Sequence, residues 1–595
     1  MRLLPPAALL VALALLAPPA RAEEPLVQYT LRFPEAANHY VDVEAVIPTT
    51  DNGRVELMLP VWTPGSYLVR NYTRHLEGFT VDGGTASRIG TNRWQVDVTA
   101  PTLRVRYRLY GRQLSVRTNF VERDFALIIG AATFVTRADL LASPHEVRLE
   151  RPKAWPHVAT ALPQAGPDRF LAPDYDTLVD APLLLGSLKR AWFKVDDVEH
   201  VIATLNAGDH WDPRRAAADV EKIVRVQRDF WGRLPYPRYH ILNLLTGGGG
   251  GLEHRESMVV MGDRMAQRDA DDWQNWLRLV SHELFHAWNV KRLRPAELGP
   301  FDYDQAVYTR SLWIAEGITS YYDLLLVRRA GLADDDDLLA GLSKKIKSLE
   351  TTPGREIRSL EDASYEAWIK HYMPDENQVN STISYYTKGA VVAFLLDARL
   401  REATGGQKSL DDLLRLAYDR FAESGYTPEQ FQALASEVAG ADLATFFDGY
   451  VRGVSELDYQ PALRWFGLRF KAAPIADGDA PTGAWLGARF TPDAHALRVR
   501  EVPRGTPAFR AGLNAEDELL AVGDQRVSPK TLDDLLARLR PGERATLLVA
   551  RRDQLLRLPV SLGEEPADAW KLSVDPKATP AQKARLAAWL GAAPP

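Results

Sequence analysis

Cysteine is absent from this 595-residue sequence. Its absence excludes disulfide bonds, thiol nucleophiles and thiolate metal sites, so a zinc ion would have to be held by histidine and carboxylate side chains. The sequence also lacks a strong excess of either charge, because 72 Lys and Arg residues stand against 78 Asp and Glu residues. No basic stripe interrupts this mixture, and we therefore expect no nucleic acid partner.

Long apolar runs are lacking beyond the N-terminus, so we expect no stable membrane span. At the N-terminus, Arg2 precedes the apolar run Leu3–Ala17, and Ala20–Ala22 has the small-x-small pattern of a cleavage site. The run is too short and too interrupted by proline for an anchoring helix. Residues 1–22 are therefore predicted to be a signal peptide cleaved near Ala22, which places the mature protein in the periplasm or outside the cell.

The length and the pattern of the chain predict a multidomain α+β protein. Residues 23–190 read as a β-sandwich, because runs such as Tyr40–Val46 and Leu103–Leu109 alternate apolar and polar residues between turn signals. Residues 191–457 read as a mixed α/β domain whose helical part begins at about residue 322. Within it, Asp271–Asn289 is predicted to be an amphipathic helix, and Ser409–Val454 is also predicted to be helical.

A linker and a small C-terminal module are predicted to follow. Residues 458–483 are assigned to the linker, whose later part is rich in Ala, Pro, Gly and Asp. Residues 484–565 resemble a PDZ domain of the bacterial protease type, and residues 566–595 are assigned to a C-terminal tail. The PDZ resemblance implies a groove that captures a peptide C-terminus or an extended segment, with backbone amides near Leu486 and Gly487 receiving a carboxylate.

The strongest chemical signal is the segment His282–His286, which reads His-Glu-Leu-Phe-His. On a helix, positions i and i+4 lie on one face, so the imidazoles of His282 and His286 can converge on one metal ion. Glu283 projects beside that face and can take a proton from an attacking water. The pattern predicts one zinc ion per chain, with Glu283 as the general base.

A catalytic zinc site needs a third protein ligand. Glu316 is the candidate, because it lies 30 positions after His286 on a second predicted helix. Glu297 and Asp302 are rival ligands, but they lie in a connection that contains Pro and Gly and holds side chains less rigidly. The segments His282–Trp288 and Trp313–Gly317 resemble the gluzincin metallopeptidases of the aminopeptidase N group, although the spacer before Glu316 is longer here.

Gly250–His254 lies before the predicted zinc helix and is similar to the Gly-x-Met-Glu-Asn segment of aminopeptidase N relatives. The resemblance implies that Glu253 holds the free amine of the substrate, while Gly250 and Gly251 let the substrate backbone approach. His254 replaces the Asn of that segment and is assigned to substrate binding with an open role. A flexible loop without function is the alternative for the glycines.

Tyr385 and Tyr386 open a segment, Tyr385–Gly389, that resembles the Tyr-x-Lys-Gly segment of the same relatives. The resemblance implies that the Tyr386 hydroxyl stabilises the tetrahedral oxyanion. Tyr385 is close enough in sequence to be confused with it and is kept as a substrate-binding candidate. A packed surface aromatic residue is the alternative interpretation.

Taken together, these segments, the PDZ module and Met58–Tyr67 resemble the glycyl aminopeptidase family of PDZ-containing zinc metallopeptidases. The resemblance implies a catalytic domain like those of thermolysin and aminopeptidase N, and removal of small residues such as Gly and Ala from peptides with a free N-terminus. Two alternatives stay open: an exported zinc endopeptidase whose substrates are recruited by the PDZ domain, and a non-enzymatic peptide-binding protein.

Overall fold

Alternating apolar and polar residues build the sheets of the N-terminal domain. In the computed structural model, which describes residues 25–49, 53–471, 483–493, 495–566 and 569–591, Val41, Val43, Ala45 and Ile47 of one strand all point into the core. The predicted signal peptide and residues 472–482 of the predicted linker lie outside the described residues. The strands of this domain are β1 (Val27–Arg32), β2 (Tyr40–Pro48), β3 (Arg54–Met58), β4 (Leu76–Asp82), β5 (Gly84–Arg88), β6 (Arg93–Val98), β7 (Thr102–Tyr110), β8 (Arg112–Ser115), β9 (Thr118–Val121), β10 (Phe125–Ile128), β11 (Thr136–Arg137), β12 (His145–Glu150), β13 (His157–Ala159), β14 (Gln164–Gly166), β15 (Arg169–Ala172) and β16 (Leu183–Gly186).

Three sheets enclose the core of this N-terminal domain. They have the strand orders β14-β15-β12-β1-β2-β7-β4, β13-β16-β10-β9-β8 and β11-β3-β6-β5. A short helix, α1 (Tyr175–Val179), packs against them. The segment between β3 and β4 leaves the sheets and reaches the next domain, where the Trp62 indole N–H donates to the Asp302 carbonyl at 2.7 Å. The predicted β-rich N-terminal domain is confirmed.

The catalytic domain begins with a sheet of order β17-β18-β19-β21-β20, formed by β17 (Leu188–Val195), β18 (Val198–Leu205), β19 (Arg238–Leu245), β20 (Gly250–Glu253) and β21 (Ser257–Gly262). The three central strands run parallel and β20 runs antiparallel to β21. As the last strand in this order, β20 leaves one backbone edge without a strand partner. An exposed edge of this kind can accept an extended peptide.

Helices pack against this sheet and then form a subdomain of their own. They are α2 (Pro213–Trp231), α3 (Ala270–Phe285), α4 (Ile318–Arg329), α5 (Asp335–Glu350), α6 (Leu360–Tyr365), α7 (Gln378–Ser381), α8 (Tyr385–Ala403), α9 (Leu410–Phe421), α10 (Pro428–Ala439), α11 (Ala444–Phe447) and α12 (Gln460–Phe466). The predicted helix Asp271–Asn289 ends earlier, at Phe285. The prediction of helix for Ser409–Val454 misses two breaks, at Gly425 and Gly440, whose φ angles of 75° and 62° end a helix.

The PDZ domain contains β23 (Ala484–Trp485), β24 (Arg489–Phe490), β25 (Val499–Glu501), α13 (Pro507–Arg510), β26 (Glu518–Val522), β27 (Gln525–Arg526), α14 (Leu532–Leu536), β28 (Arg544–Arg551), β29 (Gln554–Ser561) and β30 (Gly563–Glu564). It contacts the catalytic domain through Asn380, whose side chain donates to the Val502 carbonyl at 2.9 Å and accepts from the Arg504 backbone N–H at 2.6 Å. Since Asn380 lies in α7, just before α8, the module rests beside the catalytic helices.

Residues on both sides of the PDZ domain belong to the catalytic core, which corrects the predicted linker. Its first part, residues 458–471, forms α12 and β22 (Leu468–Phe470). After the PDZ domain, β31 (Leu572–Val574) pairs with β22, and α15 (Pro580–Leu590) carries the buried Trp589. The Trp589 indole N–H donates to the Tyr321 hydroxyl at 2.6 Å, so the predicted tail returns to α4. In the described part of the chain, no helix is long and apolar enough to cross a membrane.

Candidate active site

The edge strand β20 and the helix α3 approach each other closely at Gly251. A Cβ atom added there would lie 2.1 Å from the Glu283 carboxylate, so any larger residue would collide with the predicted general base. Gly250 adopts a φ of 101°, a conformation that favours glycine. The two glycines therefore bring an unpaired strand edge beside His282–His286, and the alternative of a flexible loop does not hold for them.

The helix α3 supplies the first two candidate ligands. Its N-terminus is capped by Asp269, whose carboxylate accepts the Asp272 backbone N–H at 3.0 Å. Trp276, Leu277 and Val280 bury one side of the helix against the sheet. His282 and His286 then project from its last turn toward the cavity, and their ring centroids lie 4.7 Å apart.

Glu316 reaches the same point from a second helix. Trp313–Gly317 forms a π-helical turn that leads into α4, a distortion that often marks functional sites. A Cβ atom on Gly317 would lie 2.6 Å from the Cα atom of Gly389, so the two glycines let this turn and α8 pack in direct backbone contact. This contact brings Glu316 and the start of α8 together.

The three predicted ligands converge. One Glu316 carboxylate oxygen lies 3.4 Å from His282 Nε2 and 3.1 Å from His286 Nε2. Ligands about 2.05 Å from a tetrahedral zinc ion lie roughly 3.3 Å apart, so this set of two imidazoles and one carboxylate fits zinc. The rivals do not join it, because Glu297 accepts from the Thr309 hydroxyl at 3.2 Å and Asp302 caps the backbone of its own turn.

Partners outside the ligand set orient both imidazoles. The Nδ1–H of His286 donates to the Asn289 carbonyl at 2.8 Å, which directs its Nε2 toward Glu316. His282 Nδ1 lies 3.8 Å from the carboxylate of Asp323, a residue that the sequence reasoning missed. Its signal was the seven-residue spacing after Glu316, which puts both carboxylates on one face of a helix. Such partners fix the imidazole orientation and raise metal affinity.

Glu283 lies in the same buried space without taking part in the ligand set. Burial raises the pKa of the Glu283 carboxyl, and the two nearby imidazoles oppose this shift. A carboxyl group with a raised pKa is a stronger base than an ordinary glutamate, which suits general base chemistry. The structure thus places Glu283 beside the three candidate metal ligands and against the edge strand β20.

Glu253 ends the edge strand and is almost fully buried, with 3% of its surface exposed. Its Oε1 atom has no hydrogen-bond partner in the described structure. A Cβ atom on Gly65 of the N-terminal domain would lie 2.3 Å from that same atom. The backbone of Gly65, which has a φ of 86°, therefore closes the space on one side of the carboxylate.

The space behind Glu253 is also closed. The residual cavity there has a volume of about 10 Å³, and its walls include Trp62, Tyr67 and Phe301. A space of this size holds at most one water molecule. A peptide chain therefore has no path past Glu253 on this side.

His254 does not line the active-site cavity, contrary to its assignment as a substrate-binding residue. Its Nδ1–H donates to the Asp180 carboxylate at 3.1 Å, and the Lys291 ammonium lies 2.7 Å from the same carboxylate. Burial opposes ionisation of Asp180, but the nearby Lys291 ammonium and the hydrogen bond from His254 lower the pKa of its carboxyl. Through Asp180, His254 thus connects the end of β20 to the N-terminal domain and to the loop after α3.

Tyr386 lines the cavity at the start of α8. Its ring stacks at 6.4 Å from the His282 ring, and its hydroxyl lies 3.3 Å from the Tyr372 hydroxyl. Burial raises the pKa of Tyr386 well above its ordinary value, and the nearby Glu316 carboxylate adds to the effect. The hydroxyl therefore stays protonated and can donate a hydrogen bond. Tyr385 is fully buried beside His371 and does not line the cavity, which corrects its assignment.

These groups surround one open cavity of about 600 Å³. Its walls are formed by the candidate ligands, the candidate base and the edge strand. They also include several residues that were not selected from the sequence, namely Gly65, Arg117, Asn275, Arg278, His371 and Tyr372. Two of these, Gly65 and Arg117, come from the N-terminal domain. The site is therefore built at the contact between two domains.

In the PDZ domain, Leu486 and Gly487 lie between β23 and β24 as expected for the predicted groove. The Leu486 carbonyl accepts from the Ala508 backbone N–H at 2.9 Å. Gly487 has a φ of 78°, and a Cβ atom there would lie 2.6 Å from Thr506. The tight turn thus requires glycine. Carboxylate binding by these amides stays a prediction.

Comparison with known families gives three matches. Residues 28–187 match the Peptidase M61 N-terminal domain, residues 275–392 match the M61 glycyl aminopeptidase domain, and residues 484–562 match the PDZ domain. These matches confirm the predicted family resemblance and the order of the domains along the chain. No curated protein matches the sequence.

One solved structure resembles the whole architecture, and a second is more distantly similar. The crystal structure of an aminopeptidase N family protein from Idiomarina loihiensis is 29% identical, with a TM-score of 0.89, and the match covers 95% of this chain and 100% of that chain. An M1 zinc metallopeptidase from Deinococcus radiodurans is 15% identical, with a TM-score of 0.47, and the match covers 73% of this chain and 95% of that chain. The first of these likenesses confirms the multidomain α+β fold.

Proposed function

We propose that this protein is a zinc-dependent aminopeptidase that removes the first residue of peptides. The premise is that the chain carries an M61 N-terminal domain, an M61 glycyl aminopeptidase domain and a PDZ domain. The chain is a peptidase of the hydrolase class. The zinc ion, the free-amine requirement and the preference for a small first residue are the parts that we propose.

One observation carries the aminopeptidase proposal. The Glu253 carboxylate is buried, has an oxygen without a hydrogen-bond partner and stands at the closed end of the cavity. A buried, unpaired carboxylate oxygen is costly unless a partner arrives, and the α-ammonium group of a peptide is a matching partner. Since no chain can continue past this point, the residue that binds here is the first of its peptide. The preference for a small first residue such as Gly or Ala is proposed from the match to the M61 glycyl aminopeptidase domain.

Each of these residues has a proposed role in hydrolysis. A zinc ion held by His282, His286 and Glu316 would polarise the scissile carbonyl and acidify the attacking water. Glu283 accepts the proton of that water and delivers it to the departing amine. The Tyr386 hydroxyl donates a hydrogen bond to the developing oxyanion, which it can do because it stays protonated.

Metal analysis and activity of two variants test the zinc site. His286→Ala removes a ligand, so bound zinc should fall from one per chain to a small fraction. Glu283→Gln leaves the ligands in place, so it should keep its zinc and lose activity by several orders of magnitude. Full zinc content in His286→Ala would place the metal elsewhere.

The amine subsite is tested by Glu253→Gln with Glu256→Gln as its control, since both residues lie on the hairpin of β20 and β21 and only Glu253 lines the cavity. A charge-assisted contact contributes about 1.5–3 kcal/mol, or roughly tenfold to more than a hundredfold in kcat/KM. Glu253→Gln should lose that factor on free-amine substrates and keep its zinc. Equal activity of the two variants would remove Glu253 from amine binding.

We also propose export to the periplasm or beyond the cell, from the pattern of residues 1–22, and capture of peptide C-termini or extended segments by the PDZ groove. N-terminal sequencing of the protein recovered from a periplasmic fraction tests the first proposal. A start near Glu23 supports it, and an intact Met1 in that fraction contradicts it.

A further inference from the structure

Arg117 reaches the active-site cavity from the N-terminal domain. It lies in the two-residue turn that joins β8 to β9, where Ser115 pairs with Thr118. Val116 of the same turn is buried in the core of its own domain, and the Arg117 backbone N–H donates to the Ser115 hydroxyl at 3.1 Å. The tight turn and its buried neighbour hold the Arg117 backbone in one place, so its side chain projects over the cavity from a fixed base.

The guanidinium of Arg117 lies along the glycine end of β20. Its Nη2 atom donates to the Gly251 carbonyl at 3.3 Å, and its Nη1 atom lies 4.0 Å from the position of a Cβ atom on Gly250. The Nε atom is buried and has no hydrogen-bond partner. Most of the donors of this group are therefore not satisfied by the described protein.

No carboxylate within the described ranges forms an ion pair with Arg117, although Arg residues elsewhere in the chain commonly have one. Arg70 of the same domain is also without a carboxylate partner there. Burial lowers the pKa of Arg70, and the positive charge of Arg117 contributes to the same shift, which indicates that the two cations are neighbours. Two adjacent cations without a counterion form a region that favours an anion.

The direction of a bound peptide follows from the site geometry. Its ammonium group is placed at Glu253, and its scissile bond must lie near Glu283, which sits over Gly251. The peptide therefore runs from Glu253 toward Gly250, antiparallel to β20. Since a strand advances about 3.3 Å per residue, the residues after the scissile bond lie beside Gly251 and Gly250, where the Arg117 guanidinium stands.

We propose that Arg117 binds the C-terminal carboxylate of the substrate and thereby directs the enzyme to dipeptides and tripeptides. This inference rests on the aminopeptidase proposal and deepens it. A substrate with one or two residues after the scissile bond places its carboxylate at Arg117 while its ammonium group pairs with Glu253. Longer peptides place a neutral peptide group there and lose the ionic contact.

The test compares Ala-Ala and Ala-Ala-Ala with their C-terminal amides, using the zinc-loaded full chain. Wild-type protein should have a kcat/KM about tenfold to a hundredfold higher for the free acids. In Arg117→Gln this preference should fall to within about threefold, and Arg117→Lys should restore part of it. Arg112→Gln, on the same hairpin but outside the cavity, should keep the full preference.

Alanine 4-nitroanilide serves as the reference substrate because it has a free amine and no carboxylate. Arg117→Gln should cleave it within about threefold of wild type. An equal loss on acids, amides and this reporter would show that Arg117 only positions Gly251, and equal use of acids and amides by wild type would also overturn the inference. In both cases the aminopeptidase proposal stands. Failure of wild type to cleave the reporter and the alanine peptides would overturn the aminopeptidase proposal and this inference together.

Discussion

The substitution Gly65→Ala tests the closed end of the cavity without touching a metal ligand. The new Cβ atom would lie 2.3 Å from Glu253 Oε1, far inside the roughly 3.5 Å of an ordinary contact. The Glu253 side chain is the group that can move, so its carboxylate should shift by about 1 Å. A misplacement of this size in a positioning contact can cost on the order of a hundredfold in rate.

The backbone also contributes, because Gly65 has a φ of 86° and alanine in a left-handed conformation costs about 1–2 kcal/mol. Gly78→Ala is the matched control, since Gly78 belongs to the same domain, has a φ of 63° and has no atom within 4 Å of an added Cβ. We expect Gly65→Ala to lose one to two orders of magnitude in kcat/KM on alanine 4-nitroanilide with unchanged zinc content. Gly78→Ala should match wild type. Activity of Gly65→Ala equal to that of its control would refute the placement of the substrate amine at Glu253.

Three further predictions follow from the groups around the site. Asp323→Asn removes the charge that faces His282, so zinc affinity measured by competition with a chelator should fall about tenfold to a hundredfold; unchanged affinity would contradict the orienting role of Asp323. Replacing residues 483–566 by a short flexible segment should keep the rate of alanine 4-nitroanilide cleavage within about threefold of wild type. Ending the chain at residue 457 should prevent folding, because it removes α12, β22 and α15. If the variant without residues 483–566 is folded and zinc-loaded but inactive, the PDZ domain is not dispensable for catalysis. Burial lowers the pKa of Lys388 to about 8. At pH 7 the buried, charged Lys388 therefore destabilises the folded state by about 3 kcal/mol, and this cost disappears as the pH rises from about 8 to about 10.4. Lys388→Met should therefore raise the melting temperature at pH 7 and lose this advantage near pH 10.5; a variant that is less stable at pH 7 would contradict the sign.

The convergence of the candidate zinc ligands could be predicted from sequence because their geometry is local. A spacing of four residues on a helix fixes the relation between His282 and His286 wherever that helix lies. Glu316 could also be selected from its local segment, because it lies at the start of a predicted helix and is followed by Gly317. Only the structure shows that Gly317 is needed for the close contact with Gly389. Tyr386 was selected on a family segment, and the structure places it in the cavity.

The residues that sequence reasoning missed act across long separations in the chain. Gly65 and Arg117 belong to the N-terminal domain, and no periodicity or spacing in their own segments links them to α3 or β20. The same holds for Trp589, which follows the PDZ domain and returns to Tyr321. His254 was assigned to substrate binding because it replaces the Asn of the family segment. Glu253 lines the cavity, but the His254 side chain pairs with Asp180 instead.

Comparison of a free peptide with its N-acetylated form tests the account most directly. The zinc-loaded wild-type protein would be incubated with Ala-Ala-Ala and with acetyl-Ala-Ala-Ala, and the products would be identified by mass spectrometry. Acetylation removes the positive charge that Glu253 is proposed to bind and adds atoms where the cavity is closed. The account predicts release of alanine from the free peptide and a rate at least a hundredfold lower for the acetylated one. Cleavage of both peptides at similar rates, at internal bonds, would contradict it and establish an endopeptidase.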